Sequence, residues 1–114
     1  MKKPLFPIML ATLALTACSK TLPTCSDTET TELVIQIAQS EMINQLGPVE
    51  AQVFSYDVGA IRTTFTNEQT GAYDCAAQLE ITVKGTDQST ELPITYTVEM
   101  LDNKKEFYVN VYGL

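Results

Sequence analysis

Between Thr28 and Leu46 the apolar residues Leu33, Val34, Ile37, Ala38, Met42 and Leu46 recur at intervals of one, three and four. That spacing lines them along one stripe of an α-helix. Ser26 followed by Glu29 has the separation of a capping box. Asp27, Glu29 and Glu32 put negative charge at the positive end of the helix dipole. Gly47-Pro48 supplies the stop, so the pattern predicts a helix over 28–46.

Beyond the helix the period falls to two. From Tyr73 to Lys84, Cys75, Ala77, Leu79, Ile81 and Val83 alternate with polar residues, as in a strand with one buried and one wet face. Leu92 to Leu101 repeats the pattern, with Leu92, Ile94, Tyr96, Val98 and Met100 inward and Thr95, Thr97 and Glu99 outward. Phe107, Val109 and Val111 mark a last short strand with Tyr108, Asn110 and Tyr112 on its reverse. The segment Ala51 to Thr66 is strand-like but changes phase. Phe54, Tyr56 and Val58 share one parity, while Ile61 and Phe65 share the other, and Gly59-Ala60 sits at the switch, as a bulge or bend would require. A turn at 67–71 and short links at 85–89 and 102–105 suit hairpins.

These elements predict an α+β fold, one N-terminal helix packed on a four-stranded antiparallel meander. The element order resembles that of cystatin-like folds and of small envelope lipoproteins with a helix-plus-meander domain. A likeness of order alone carries no function.

Ahead of this domain stands MKKPLFPIMLATLALTAC. Lys2 and Lys3 form a positive start, Leu5 to Leu15 an apolar run, and Thr16-Ala17 a small-residue step, the layout of a secretory signal. The run is shorter than the roughly 20 residues a membrane-crossing helix needs. Leu15-Thr16-Ala17-Cys18 resembles the lipobox of bacterial lipoproteins. The resemblance implies cleavage before Cys18, a diacylglycerol on its thiol and, as a rule, acylation of the freed amine. Two or more acyl chains make anchoring stable where one is marginal. Ser19 in the next position implies the outer membrane. The expected organisation is a signal peptide at 1–17, a lipidated tether at 18–25 and one domain over 26–114.

With Cys18 lipidated, Cys25 and Cys75 remain as an even pair in an oxidising compartment. A disulfide between them would tie the helix start to the second strand, closing a loop worth about 4 kcal/mol in the chain-entropy model. A redox or metal-binding pair is the alternative. It lacks a Cys-x-x-Cys motif, and the chain has no histidine.

From Cys18 onward 5 basic residues face 14 acidic ones, a net charge of −9. Such a surface repels nucleic acid and anionic head groups alike, so the expected membrane contact is the lipid on Cys18. Without histidine there is no Ser-His or Cys-His nucleophile pair. The carboxylates are spread over outward strand positions, the helix start and turns, and none follows the spacing of a calcium loop. An enzyme, a cofactor and a metal are therefore not expected.

Two features stand out on the wet side. Thr95, Thr97, Tyr108 and Tyr112 share the outer face of the last strands, where tyrosines offer apolar area with a polar tip. Arg62, the only arginine, lies beside the expected bulge and either addresses a partner or pairs with Glu80 or Glu99. The resulting expectation is a lipid-anchored protein of a Gram-negative-type envelope, facing the periplasm from the outer membrane. There it acts as a non-catalytic module that binds another envelope protein. The alternative is an inhibitor or immunity protein against a periplasmic or cell-wall hydrolase.

Overall fold

The structure, a computed structural model, describes residues 22–102 and 105–114. The expected signal peptide, Cys18 and the first part of the tether lie outside the described residues. Helix α1 spans Thr28–Leu46 and is followed at once by a single turn of helix, α2, over Pro48–Ala51. Strands β1 (Phe54–Thr66), β2 (Tyr73–Val83), β3 (Ser89–Met100) and β4 (Phe107–Tyr112) then form one sheet in the order β1-β2-β3-β4, every pair antiparallel. The α+β meander is as the periodicity predicts.

The helix start differs from the capping box. Asp27 is the N-cap, and its carboxylate accepts from the Thr24 amide at 3.0 Å across the preceding turn instead of capping the helix. The turn has a partner inside: the fully buried Thr30 hydroxyl donates to the Thr24 carbonyl at 2.7 Å. At the other end Gly47 takes φ +96°, a conformation that glycine accepts without a Cβ penalty. Pro48 then opens α2 instead of a strand, because its fixed φ suits the first position of a helix. The first strand accordingly starts at Phe54, three residues later than the sequence pattern suggests.

The core lies between α1 and one face of the sheet. Val34 and Ala38 from the helix meet Cys75, Ala77 and Leu79 of β2, Ile94, Tyr96 and Val98 of β3, and Val109 of β4. Fully burying side chains such as Leu79, Val34 and Val98 contributes roughly 1.5–3 kcal/mol each. The helix comes closest to the backbones of the outer strands β1 and β4, so the sheet curves around it. Its stripe is not buried to the end. Leu46 is exposed, as are Ile43, Val49 and Val53 nearby.

Cys25 and Cys75 form a disulfide with Cα atoms 5.8 Å apart, tying the helix start to β2 as expected.

Candidate functional site

The face of the sheet turned away from the helix is set by two irregularities in β1. Gly59 pairs with Gln78 and Arg62 with Ala76, so Ala60 and Ile61 together oppose one residue of β2. Ala60 adopts φ +50°, which completes the bulge foreseen at Gly59-Ala60, and Ile61 turns inward to the core. A second shift lies between Thr63 and Phe65. Thr63 stays on the helix side, where its hydroxyl donates to the Cys25 sulfur at 3.3 Å. Thr64 is the extra residue, and its hydroxyl donates to the Asp74 carbonyl at 3.1 Å. Phe65 therefore pairs with Asp74 on the outer face and is 58% exposed, not buried with Ile61 as its parity suggests.

Register then assembles the face row by row. Arg62, Ala76, Thr95 and Tyr112 lie side by side across the four strands. The adjacent row is Phe65, Asp74, Thr97 and Asn110. Arg62 and Tyr112 stand on the two edge strands, and the floor between them is the small pair Ala76 and Thr95. The result is an open depression of about 320 Å³, continued past Tyr112 by a second along Thr64, Asp74 and Thr97.

Three of the five expected contact residues, Arg62, Thr95 and Tyr112, thus share one row, and Thr97 sits in the next. Tyr108 stands apart at the far end of β4, beside Glu99, and its hydroxyl donates to Glu99 Oε1 at 3.0 Å. That hydrogen bond to a carboxylate, with some burial, raises the Tyr108 pKa above its ordinary value. The alternative ion pairs of Arg62 are not formed. Its Nη1 donates to the Ala60 carbonyl at 3.0 Å, within the bulge, while Glu80 pairs in register with Asp57 and Glu99 with Tyr108.

The Thr97 hydroxyl is buried without a hydrogen-bond partner. A buried hydroxyl left unpaired costs about 1–3 kcal/mol. Tyr112 offers a 56% exposed ring one row away. Together these give an aromatic, hydroxyl-bearing surface with one fixed cation.

Sequence reasoning missed Phe65 because it allowed only one bulge. The paired Thr63-Thr64 before an aromatic was the available signal. It also missed that Asp57, Glu80 and Glu91 form a single cross-strand row. Counting outward from the two hairpin turns would have found that row.

A second, apolar cleft of about 90 Å³ opens where the second half of α1 leaves the sheet, lined by Ala38, Met42, Tyr56, Leu79, Ile81 and Leu92 among others. The Tyr56 hydroxyl is buried beside it without a partner, and desolvation raises its pKa. Among the described residues no group of three or more His, Cys, Asp or Glu side chains is placed to hold a metal ion.

The chain matches no protein-family model, and no curated protein and no solved structure is significantly similar to it.

Proposed function

We propose that this chain is a lipid-anchored, non-catalytic binding module of a bacterial outer membrane, and that the outer face of its sheet docks another envelope protein. The observation that carries the docking reading is the solvent-exposed pair Phe65 and Tyr112 flanking Arg62, Thr95 and the unpaired Thr97 hydroxyl. Exposed aromatics with an arginine are the residue types that dominate protein interfaces. The opposite face of the sheet is occupied by the disulfide-tied helix, which leaves this side as the free one. The anchor reading rests on the lipobox resemblance at Cys18 and on the net charge of −9, which offers anionic head groups nothing to attract.

The test is in-cell photo-crosslinking with a photo-reactive phenylalanine at Thr95 and, separately, at Glu32 on the exposed side of α1. A discrete adduct from Thr95 and none from Glu32 supports docking on this face. Equal adducts from both positions, or none from Thr95, overturns it. Inhibition of an envelope hydrolase is a second reading favoured by the acidic surface. It requires that the captured protein be such an enzyme and lose activity on binding.

A further inference from the structure

We infer that the docking partner adds an extended segment as a fifth strand along the outer edge of β4. This rests on the reading of the outer face as a protein-docking surface and names the form in which the partner arrives.

At the turn between β3 and β4 the Leu101 amide donates to the Glu106 carbonyl at 2.8 Å. Antiparallel partners alternate between hydrogen-bonded and non-hydrogen-bonded pairs. From that turn the register runs without a shift, from Met100 opposite Phe107 to Thr95 opposite Tyr112. Tyr108, Asn110 and Tyr112 therefore bond their main-chain groups to β3. Phe107, Val109 and Val111 turn theirs outward, three N–H donors and three carbonyl acceptors along one edge. Among the described residues no strand pairs with that edge, since β4 is last in the sheet order.

The two edges of the sheet are not alike. β1 carries two bulges, positive φ at Ala60 and the exposed charges of Asp57 and Arg62, all of which hinder a strand from pairing there. β4, Phe-Tyr-Val-Asn-Val-Tyr, has no charge, no proline, no glycine and no register shift. Its edge is the one left open.

What fits this edge is set by what it offers. Donors and acceptors at strand spacing are matched by another extended main chain, not by a helix, whose backbone groups already bond one another. Side chains of the added strand alternate like those of β4. Those opposite Phe107, Val109 and Val111 fall on the helix side, where these three pack in the core, so apolar residues suit them. Those in between lengthen the rows of the outer face past Asn110 and Tyr112, so the added strand is continuous with the docking face. A segment as long as the six residues of β4, apolar at every second position, satisfies both sides. A second copy pairing through its own β4 would bring a like net charge of −9 to the same edge, which disfavours it against a partner without that excess.

The experiment places a photo-reactive phenylalanine at Tyr108 and, separately, at Tyr112 of the full chain in cells, and maps the adducts by mass spectrometry. Both positions should capture one segment of the partner, at residues about four apart, because strands pair residue for residue. Capture of two unrelated segments, or of a second copy of this chain, overturns the inference. A second measurement repeats the Thr95 crosslink in two variants. Val111→Pro removes one outward donor without breaking a bond to β3, and Val111→Thr keeps that donor. The Thr95 adduct should fall about fivefold or more in the proline variant and less than about twofold in the threonine variant. Equal loss in both would place the effect in the side chain and overturn the inference. An undiminished adduct in Val111→Pro overturns it too, while leaving the docking face standing. Absence of a Thr95 adduct from the parent chain removes the docking face and the inference with it. The crosslink map is read on the parent backbone, so it decides the inference even where Val111→Pro lowers the melting temperature.

Discussion

The Tyr96 hydroxyl donates a 2.8 Å hydrogen bond to the carbonyl of Cys25, 71 residues earlier in the chain. Tyr96 is fully buried on β3, and the sulfur of Cys25 is bonded to Cys75 on β2. The turn that starts the helix is thus held twice, once by a covalent bond and once by a hydrogen bond from the next strand. Tyr96→Phe keeps the ring and its packing but leaves the Cys25 carbonyl without this donor. It should cost about 1–3 kcal/mol, the penalty for an unsatisfied buried group. Urea unfolding of the two proteins measures the difference, and an unchanged midpoint would show that the bond is dispensable.

The same burial predicts an alkaline limit to stability. Desolvation pushes the Tyr96 pKa up to about 12 from its ordinary 10.0. Because the folded value is the higher one, the unfolded chain loses its proton first as pH rises. The contribution is complete below pH 10 and is lost progressively between about pH 10 and 12. Melting temperature should fall across that window in the parent. In Tyr96→Phe the fall should be shallower, and parallel profiles would contradict the assignment.

Breaking the disulfide should cost more than either change. The bridge spans 50 residues of sequence, for which the chain-entropy model gives about 4 kcal/mol. For a domain this size that is a large part of the whole margin. The double substitution Cys25→Ala with Cys75→Ala should therefore unfold at much lower denaturant. Tyr96→Phe should also cost less in that background than in the parent, because its acceptor is then less firmly placed. Strictly additive losses would mean that the two ties act independently.

The sequence exposes the periodic parts of this fold and hides the places where the period breaks. Val34, Ala38, Leu79, Tyr96 and Val98 are buried where the 3.6 and 2.0 repeats put them. The bulge at Gly59-Ala60 was legible because apolar parity visibly changes on either side of it. The one at Thr64 was not, because threonine suits either face and the single aromatic beyond it has the same parity as Ile61. The candidate contact residues followed the same rule. Thr95, Thr97 and Tyr112 lie on regular strands and sit together as alternation implies. Phe65 joins them only through a shift that alternation does not report. The helix stripe was overread at Leu46 because period alone does not say where the sheet stops covering it.

Ala60 tests how much that first bulge matters. It is the non-glycine residue with positive φ among those described, at +50°. Glycine should be accepted there, since the strain it relieves and the unfolded-state freedom it adds are of similar size. Ala60→Val should lose about 1–3 kcal/mol, because a β-branched residue strongly disfavours this conformation. The bulge also holds the carbonyl that Arg62 binds. The valine variant should therefore weaken the Thr95 crosslink as well, and Ala60→Gly should keep it. A stable, fully crosslinking valine variant would show that the backbone here adapts freely.

Cys18→Ser separates the anchor from the domain. Among the described residues no helix is long and apolar enough to cross a membrane, and the surface charge does not favour anionic lipid. On the lipobox reading all membrane affinity then comes from acyl chains, at about 0.8 kcal/mol per buried methylene. Serine cannot accept the thioether, so the variant should accumulate with residues 1–17 uncleaved and without lipid. The domain itself should keep its Cys25–Cys75 bridge and its melting temperature, since the contacts that set both involve Leu22, Thr24 and Cys25 and the chain after them, not Cys18. Mass spectrometry of the parent N-terminus should find a diacylated or triacylated Cys18. Fractionation alone is not sufficient, because an uncleaved apolar segment also sediments with membranes. The decisive comparison is therefore the acyl mass: a parent protein whose first residue is an unmodified Cys18, or any other residue, refutes the anchor.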